Sequence, residues 1–156
     1  MRFHPTNRPN EWAYVDDKYA WLIAACSWYV KNTGHVQGRV KGKDQFLHRV
    51  IVELEGLDWL QVDHKNRNPL DNRFSNLRLT TDRQQRANTG KQKNNTSGYK
   101  GVSWSRNAKK WCAQTSVYRR HVHLGYFTNK HEAARAYNQA ALKYFGEYAC
   151  LNVIEE

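Results

Sequence analysis

Val62-Asp63-His64-Lys65-Asn66-Arg67-Asn68-Pro69-Leu70-Asp71-Asn72-Arg73-Phe74-Ser75-Asn76-Leu77-Arg78-Leu79-Thr80-Thr81 sets an Asp-His pair and a later Asn-Leu-Arg on either side of a polar turn. The apolar lead-in of Leu60 and Val62 predicts a strand that ends in Asp63 and His64. A carboxylate and an imidazole fixed at a strand end can present a hard cation and a general base to one phosphate. A second strand is predicted from Asn76 to Leu79, and Asp82 stands as the cap of a helix carrying Gln84, Gln85, Arg86 and Asn88. Together these make a ββα unit, which can bring side chains from three segments to one cation, as a lone hairpin cannot.

Charge and composition agree with a polyanionic partner. The 156 residues carry a formal net charge of +11. Up to Asn88 there are 14 Lys+Arg against 10 Asp+Glu, and beyond it 11 against 4, so the C-terminal part is the more electropositive. Such charge attracts nucleic acid and makes affinity fall with salt, without specifying sequence or catalysis. No stretch reaches the length of a membrane span, and Met1 to Asn10 lacks an apolar signal core, so no membrane partner and a cytoplasmic location are expected. Cys26, Cys112 and Cys150 are odd in number and widely spaced, which argues against a disulfide framework and against structural zinc.

Upstream of the quoted stretch, Glu11 to Val15 reads as a short strand and Asp16-Asp17 as a cap before Tyr19 to Ala25. Ser27 to Val30 pairs with Val36 to Val40 across a turn in which Gly34 supplies a positive φ. Phe46 to Leu54 follows as a helix with Leu47, Val50, Ile51 and Leu54 on one stripe. His48, in that helix, reads as a structural residue and not as a ligand.

Residues 89–98 hold almost nothing that can be buried, and they divide the chain into a domain of residues 1–88, a polar linker and a domain of residues 99–156. Lys91 and Lys93 in the linker either track phosphates or are simply solvated. The second domain reads as three strands, Tyr99 to Trp104, Lys110 to Tyr118 and Arg119 to Phe127. Val102, Trp104, Trp111, Ala113, Thr115, Val117, Val122 and Leu124 share the apolar parity; Ser103, Gln114, Ser116, His121 and His123 take the other. A helix starts near Asn129 and runs to Gly146, with Ala133, Tyr137, Ala140, Ala141 and Tyr144 facing the sheet. The polar face either enters a DNA groove or is an ordinary solvated surface, and the Arg119-Arg120 and Lys109-Lys110 pairs at strand ends favour the groove. The fold class is α+β.

Val62-Asp63-His64, Asp71-Asn72-Arg73 and Asn76-Leu77-Arg78, with Leu47-His48-Arg49 upstream, resemble the His-Asn-His (HNH) nucleases of phage and intron homing endonucleases. Ser97 to Trp104, Lys110-Trp-Cys-Ala113, Leu124-Gly-Tyr-Phe127, Glu132-Ala-Ala-Arg-Ala-Tyr137 and Gly146 resemble the plant ethylene-response-factor (APETALA-type) DNA-binding domain. The pairing resembles phage homing endonucleases, which are encoded on mobile elements. The resemblance implies a site-directed DNA endonuclease that nicks duplex DNA as a monomer, with one divalent cation, Mg²⁺ or Mn²⁺. It implies Asp63 as metal ligand, His64 as general base and Asn76 as the residue that holds the loop. The family's second protein ligand, an Asn on the following helix, falls at Gln85, and Asn88 one turn on is either a substitute ligand or a helix-end residue. Arg67 stands where the family has Gly, so it either strains a left-handed turn or reaches a phosphate. DNA contacts map to Lys100, Gly101, Ser103, Ser105, Gln114, Ser116, Arg119, Arg120, His121 and His123, where Ser and His in place of several Arg imply backbone-directed contact. The alternative is a non-enzymatic DNA-binding regulator with a degenerate metal site, and Gln85 is the feature that keeps it open.

Overall fold

The protein is described by a computed structural model over residues 1–57, 61–118 and 120–154, in which the chain divides into two compact units, Met1–Asp82 and Arg83–Glu156. Leu60 and Arg119 lie outside the described residues.

In the first unit, β1 (Arg2–Phe3) pairs with β2 (Ala13–Tyr14), and a single 3-10 turn, Asp17–Tyr19, leads into α1 (Ala20–Ala25). Asp16 does not cap that helix through its side chain; its Oδ2 accepts from the backbone N of Phe74 at 2.7 Å and ties the lead-in to the segment before Asn76. The predicted hairpin forms between β3 (Trp28–Val30) and β4 (Val36–Val40), with Gly34 at φ 86°. A third strand that the sequence does not predict, β5 (Lys43–Phe46), follows the two-residue turn Lys41-Gly42, whose φ values of 49° and 78° give a left-handed turn of the kind hairpins favour. The predicted helix therefore begins one residue late, as α2 (Leu47–Leu54). Leu47, Val50 and Ile51 bury the predicted stripe against Val15, Val36 and Leu22, whereas Leu54 is 48% exposed at the helix end and Val52 is buried instead. The unit closes with an antiparallel ribbon of β6 (Gln61–His64) and β7 (Leu77–Thr80). Val62 and Leu77 anchor that ribbon in the same core.

Helix α3 (Asp82–Asn88) begins where the first unit ends, so all but its first residue belongs to the second unit. The stretch 89–98, expected as a linker, also lies in the second unit and is pinned by side chains. Ser97 is buried, its Oγ donating to the Val102 carbonyl at 2.8 Å, and Lys91 Nζ donates to the Gly98 carbonyl at 3.0 Å. Strands β8 (Val102–Ser105), β9 (Lys110–Val117) and β10 (Arg120–Phe127) form an antiparallel sheet in the order β10-β9-β8. Helix α4 (Lys130–Phe145) packs on one face through Ala133, Ala134, Tyr137, Ala140 and Ala141. Asn129 caps it, its side chain accepting from His131 N at 2.8 Å. Three expectations on this unit change. Tyr144, expected on the stripe facing the sheet, is 36% exposed, and Ala134 is buried. Trp104, expected in the core, is 48% exposed on the edge strand, set edge-on to Trp111. A bulge between His123 and Gly125 adds Leu124 to β10 and breaks the simple alternation, so that Leu124 and Phe127, three residues apart, both pack on the core. No helix among the described residues is long and apolar enough to cross a membrane.

Candidate active site

The β6-β7 register sets Asp63 opposite Arg78 and His64 opposite Leu77. Arg78 Nε and Nη2 both donate to Asp63 Oδ2, at 3.1 and 2.9 Å, and both side chains are nearly buried. The carboxylate is thus oriented by a guanidinium across the ribbon. Magnesium and manganese take hard oxygen donors, and a ligating carboxylate is commonly steadied by hydrogen bonds of this kind, so the chemistry at Asp63 fits such an ion.

Between the strands, residues 65–76 form a loop stitched by its own amides. Asn76 Nδ2 donates to the Asp71 carbonyl at 2.7 Å and to Asn66 Oδ1 at 3.0 Å, while Asn76 Oδ1 accepts from Asn66 N at 3.1 Å. Asp71 accepts Arg73 Nε at 2.8 Å and Nη2 at 2.7 Å, and the Arg73 guanidinium holds its carboxyl below the usual range. Backbone bonds from Tyr14 N to the Leu70 carbonyl and from Asn72 N to the Tyr14 carbonyl, each 2.8 Å, fasten the loop to the lead-in strand. Arg67 takes φ 61°, so the left-handed turn that suits glycine is present with an arginine in it.

His64 is buried, and its Nε2 lies 3.4 Å from Asn72 Oδ1. Asn72 is fully buried, and its Nδ2 donates to the Pro69 carbonyl at 3.4 Å, which turns its oxygen toward the imidazole. An amide oxygen only accepts, so this contact suits the tautomer with the proton on Nε2. Burial pushes the His64 imidazole below its ordinary range; His35 pushes it the same way, against the Asn72 hydrogen bond and the charges of Asp63 and Asp71. At neutral pH the ring is therefore neutral, the form a general base needs.

Two further imidazoles gather at His64. Ring centroids stand 5.1 Å apart for His48 and His64, 5.6 Å for His35 and His64, and 5.2 Å for His35 and His48. His48 is pushed down to about 3, by burial first and then by His64, His35 and Arg49. Neither His35 nor His48 is among the site residues expected from sequence, and Asn72 is legible there only as part of the Asp71-Asn72-Arg73 motif. The signal for His48 is its place in Leu47-His48-Arg49; His35, just before β4, has no local signal at all.

The remaining expected residues fall in the second unit. Gln85 and Asn88 lie on α3, where the Gln85 carbonyl accepts from Thr89 Oγ1 at 3.3 Å and Asn88 is buried. Lys100 Nζ donates to the Ala87 carbonyl at 2.7 Å and to that of Thr89, so it serves the C-terminal end of α3. Gly101, at φ 73°, has no room for a side chain: a Cβ would lie 2.1 Å from the Tyr137 ring. Ser105 Oγ accepts from Ala108 N at 3.3 Å within a turn. Ser116 Oγ lies 3.2 Å from His121 Nδ1, and His123 Nδ1 lies 3.5 Å from Cys112 Sγ. Arg120 and Lys93 are exposed. Ser103, Gln114, Ser116 and His121, with Arg83 and Arg86, border a groove of about 890 Å³.

A family model described as HNH endonuclease matches residues 45–87. The chain is 30% identical over 139 residues to an uncharacterised HNH endonuclease of Acanthamoeba polyphaga mimivirus, an alignment covering 86% of this chain and 71% of that protein. It is also 42% identical over 50 residues to Protein 3.8 of Escherichia phage T7, covering 32% of this chain and 41% of that one. No solved structure matches.

Proposed function

The chain belongs to the HNH endonucleases, and on that premise we propose that it nicks duplex DNA by hydrolysing a phosphodiester, with His64 as general base. The observation that carries this reading is a buried, neutral His64, oriented by Asn72 and directly following an Asp63 held by Arg78. Asp63 would hold a single Mg²⁺ or Mn²⁺, which would supply charge stabilisation to the departing 3′ oxygen, and the resemblance puts the second protein ligand at Gln85. His64 takes the proton of the attacking water, and Asn72 steadies the ring as it gains charge. Asn76 keeps the loop closed beneath it. One such site reaches one strand, so a monomer nicks.

The second unit serves as the DNA-holding module, in the manner of an ethylene-response-factor domain. Its three-stranded sheet has one face covered by α4, and Ser103, Gln114, Ser116 and His121 border the basic groove. Ser and His read bases weakly, so contact is directed to the phosphates.

The test is cleavage of supercoiled duplex DNA in Mg²⁺ or Mn²⁺. Asp63→Ala and His64→Ala should each lower the rate at least about a hundredfold while DNA binding persists. Gln85 favours a second reading, a DNA-binding protein that does not cut. Cleavage absent from the parent and gained in Gln85→Asn would locate the loss at the helix ligand; undiminished cutting by both alanine variants would overturn the proposed mechanism.

A further inference from the structure

We propose that His35, His48 and His64 form a binding site for one soft transition cation, Zn²⁺ foremost, and that filling this site switches off His64 as a base. The residues come from three places, the position just before β4, the first turn of α2 and the end of β6, and one ring nitrogen from each lies within 4.8 Å of the others. With Zn–N near 2.05 Å and the imidazole centre about 1.15 Å beyond the nitrogen, three rings around a tetrahedral ion stand about 5.2 Å apart. The observed centroid separations are 5.1, 5.2 and 5.6 Å. Closing the nitrogens onto an ion takes ring rotations and displacements of order 1 Å, with little movement of the strands.

The donors select the ion. Three imidazoles and no carboxylate suit zinc, cobalt or nickel and not magnesium, which takes oxygen. A second observation points into the cluster: Nδ1 of His48, a residue 6% exposed, is buried with no hydrogen-bond partner. A buried ring nitrogen left without a hydrogen-bond partner carries a desolvation cost, which coordination through its lone pair would relieve. His35, the half-buried member, gives the ion its way in. The cysteines offer no zinc ribbon; the histidines are brought together only by the fold.

Coordination and base catalysis exclude each other at His64. A neutral imidazole has one lone pair, so whichever nitrogen the ion takes, the other carries the proton, and the ring cannot accept one from water. The switch rests on the reading of His64 as general base; the binding of the cation does not.

Two measurements on the metal-free full chain separate these parts. Titration with Zn²⁺ against a chromophoric competitor should give one ion per chain, and Co²⁺ should show the intense visible bands of tetrahedral nitrogen ligation. His35→Ala and His48→Gln should each weaken Zn²⁺ at least about tenfold, with circular dichroism establishing that each is folded. No Zn²⁺ binding at micromolar concentration, or unchanged affinity in both variants, overturns the site. In excess Mg²⁺, one equivalent of Zn²⁺ should stop cleavage by the parent and spare His35→Ala. Cutting that continues with the site filled overturns the switch, and no cutting in Mg²⁺ before zinc is added overturns the nuclease reading and the switch together, while the titration decides the site.

Discussion

Arg67 holds a φ of 61° in the loop between Asp63-His64 and Asn76, its backbone N bonded to the His64 carbonyl at 2.9 Å. A non-glycine residue pays about 1–2 kcal/mol in this region, and glycine recovers most of that less its own chain entropy. Arg67→Gly should therefore stabilise the protein by roughly 0.5–1 kcal/mol, read as a higher urea midpoint at unchanged slope; an unchanged or lower midpoint would mean that the arginine makes up for its own strain. At this scale the sequence is legible where chemistry is local. Asp63, His64 and Asn76 announce themselves by spacing, and Arg67 by standing where a glycine belongs. His35, His48 and Asn72 are not legible in the same way. They meet His64 through the packing of β4, α2 and the loop, over separations of 29, 16 and 8 residues. Lys100 and Gly101, both read as DNA contacts, also have structural places that the sequence does not show: one holds the end of α3 and the other makes room for a ring.

Among the elements, the close seating of α4 on the sheet depends on that missing side chain. A Cβ on Gly101 would fall 2.1 Å from Tyr137 Cδ2 and 2.6 Å from the Gln114 carbonyl oxygen, and φ is 73°. The Tyr137 ring is buried and cannot step aside. Gly101→Ala should cost about 2–4 kcal/mol, overpacking added to left-handed strain, whereas Gly98→Ala, with φ 85° and open space around it, should cost only the strain of about 1–2 kcal/mol. Thermal unfolding of both variants checks the difference, and equal losses would remove the packing half of the explanation. Period-two alternation made β8 to β10 readable, and Asn129 to Gly146 bracketed α4. Strand β5 was not readable because Lys41-Gly42 lacks the Asn or Asp that usually marks such a turn. Trp104 misled because an apolar parity on an edge strand need not be covered, and the Leu124 bulge shifts the alternation by one residue.

Across the whole molecule the charge is lopsided. The first unit has 12 Lys+Arg against 10 Asp+Glu and the second 13 against 4, so almost all of the excess positive charge sits beyond Asp82. If five phosphates are neutralised, the log–log salt slope for duplex DNA is about −4.5 and affinity falls roughly five hundredfold from 50 to 200 mM salt; a slope near zero would argue against backbone-directed binding. The neutral histidine cluster predicts a second global property, the dependence of stability on pH. His48 has a folded pKa pushed down to about 3 from an ordinary 6.5, so as pH falls the unfolded chain takes up a proton that the folded chain refuses. The contribution is complete above pH 6.5 and drains away between 6.5 and 3, at about 1.4 kcal/mol per pH unit for His48 alone; His35 and His64 are shifted in the same direction and add to it. Asp71, whose pKa is lowered by Arg73, acts only below the carboxylate range, so the window from pH 4.5 to 6.5 belongs to the imidazoles. Urea unfolding in a chelating buffer at pH 7.5, 6.5 and 5.5 should show a plateau and then a decline, and in folded His48→Gln the decline should lose about one proton's slope. A midpoint that stays flat to pH 5 would mean that these rings charge freely in the folded protein and so are not packed as a neutral cluster.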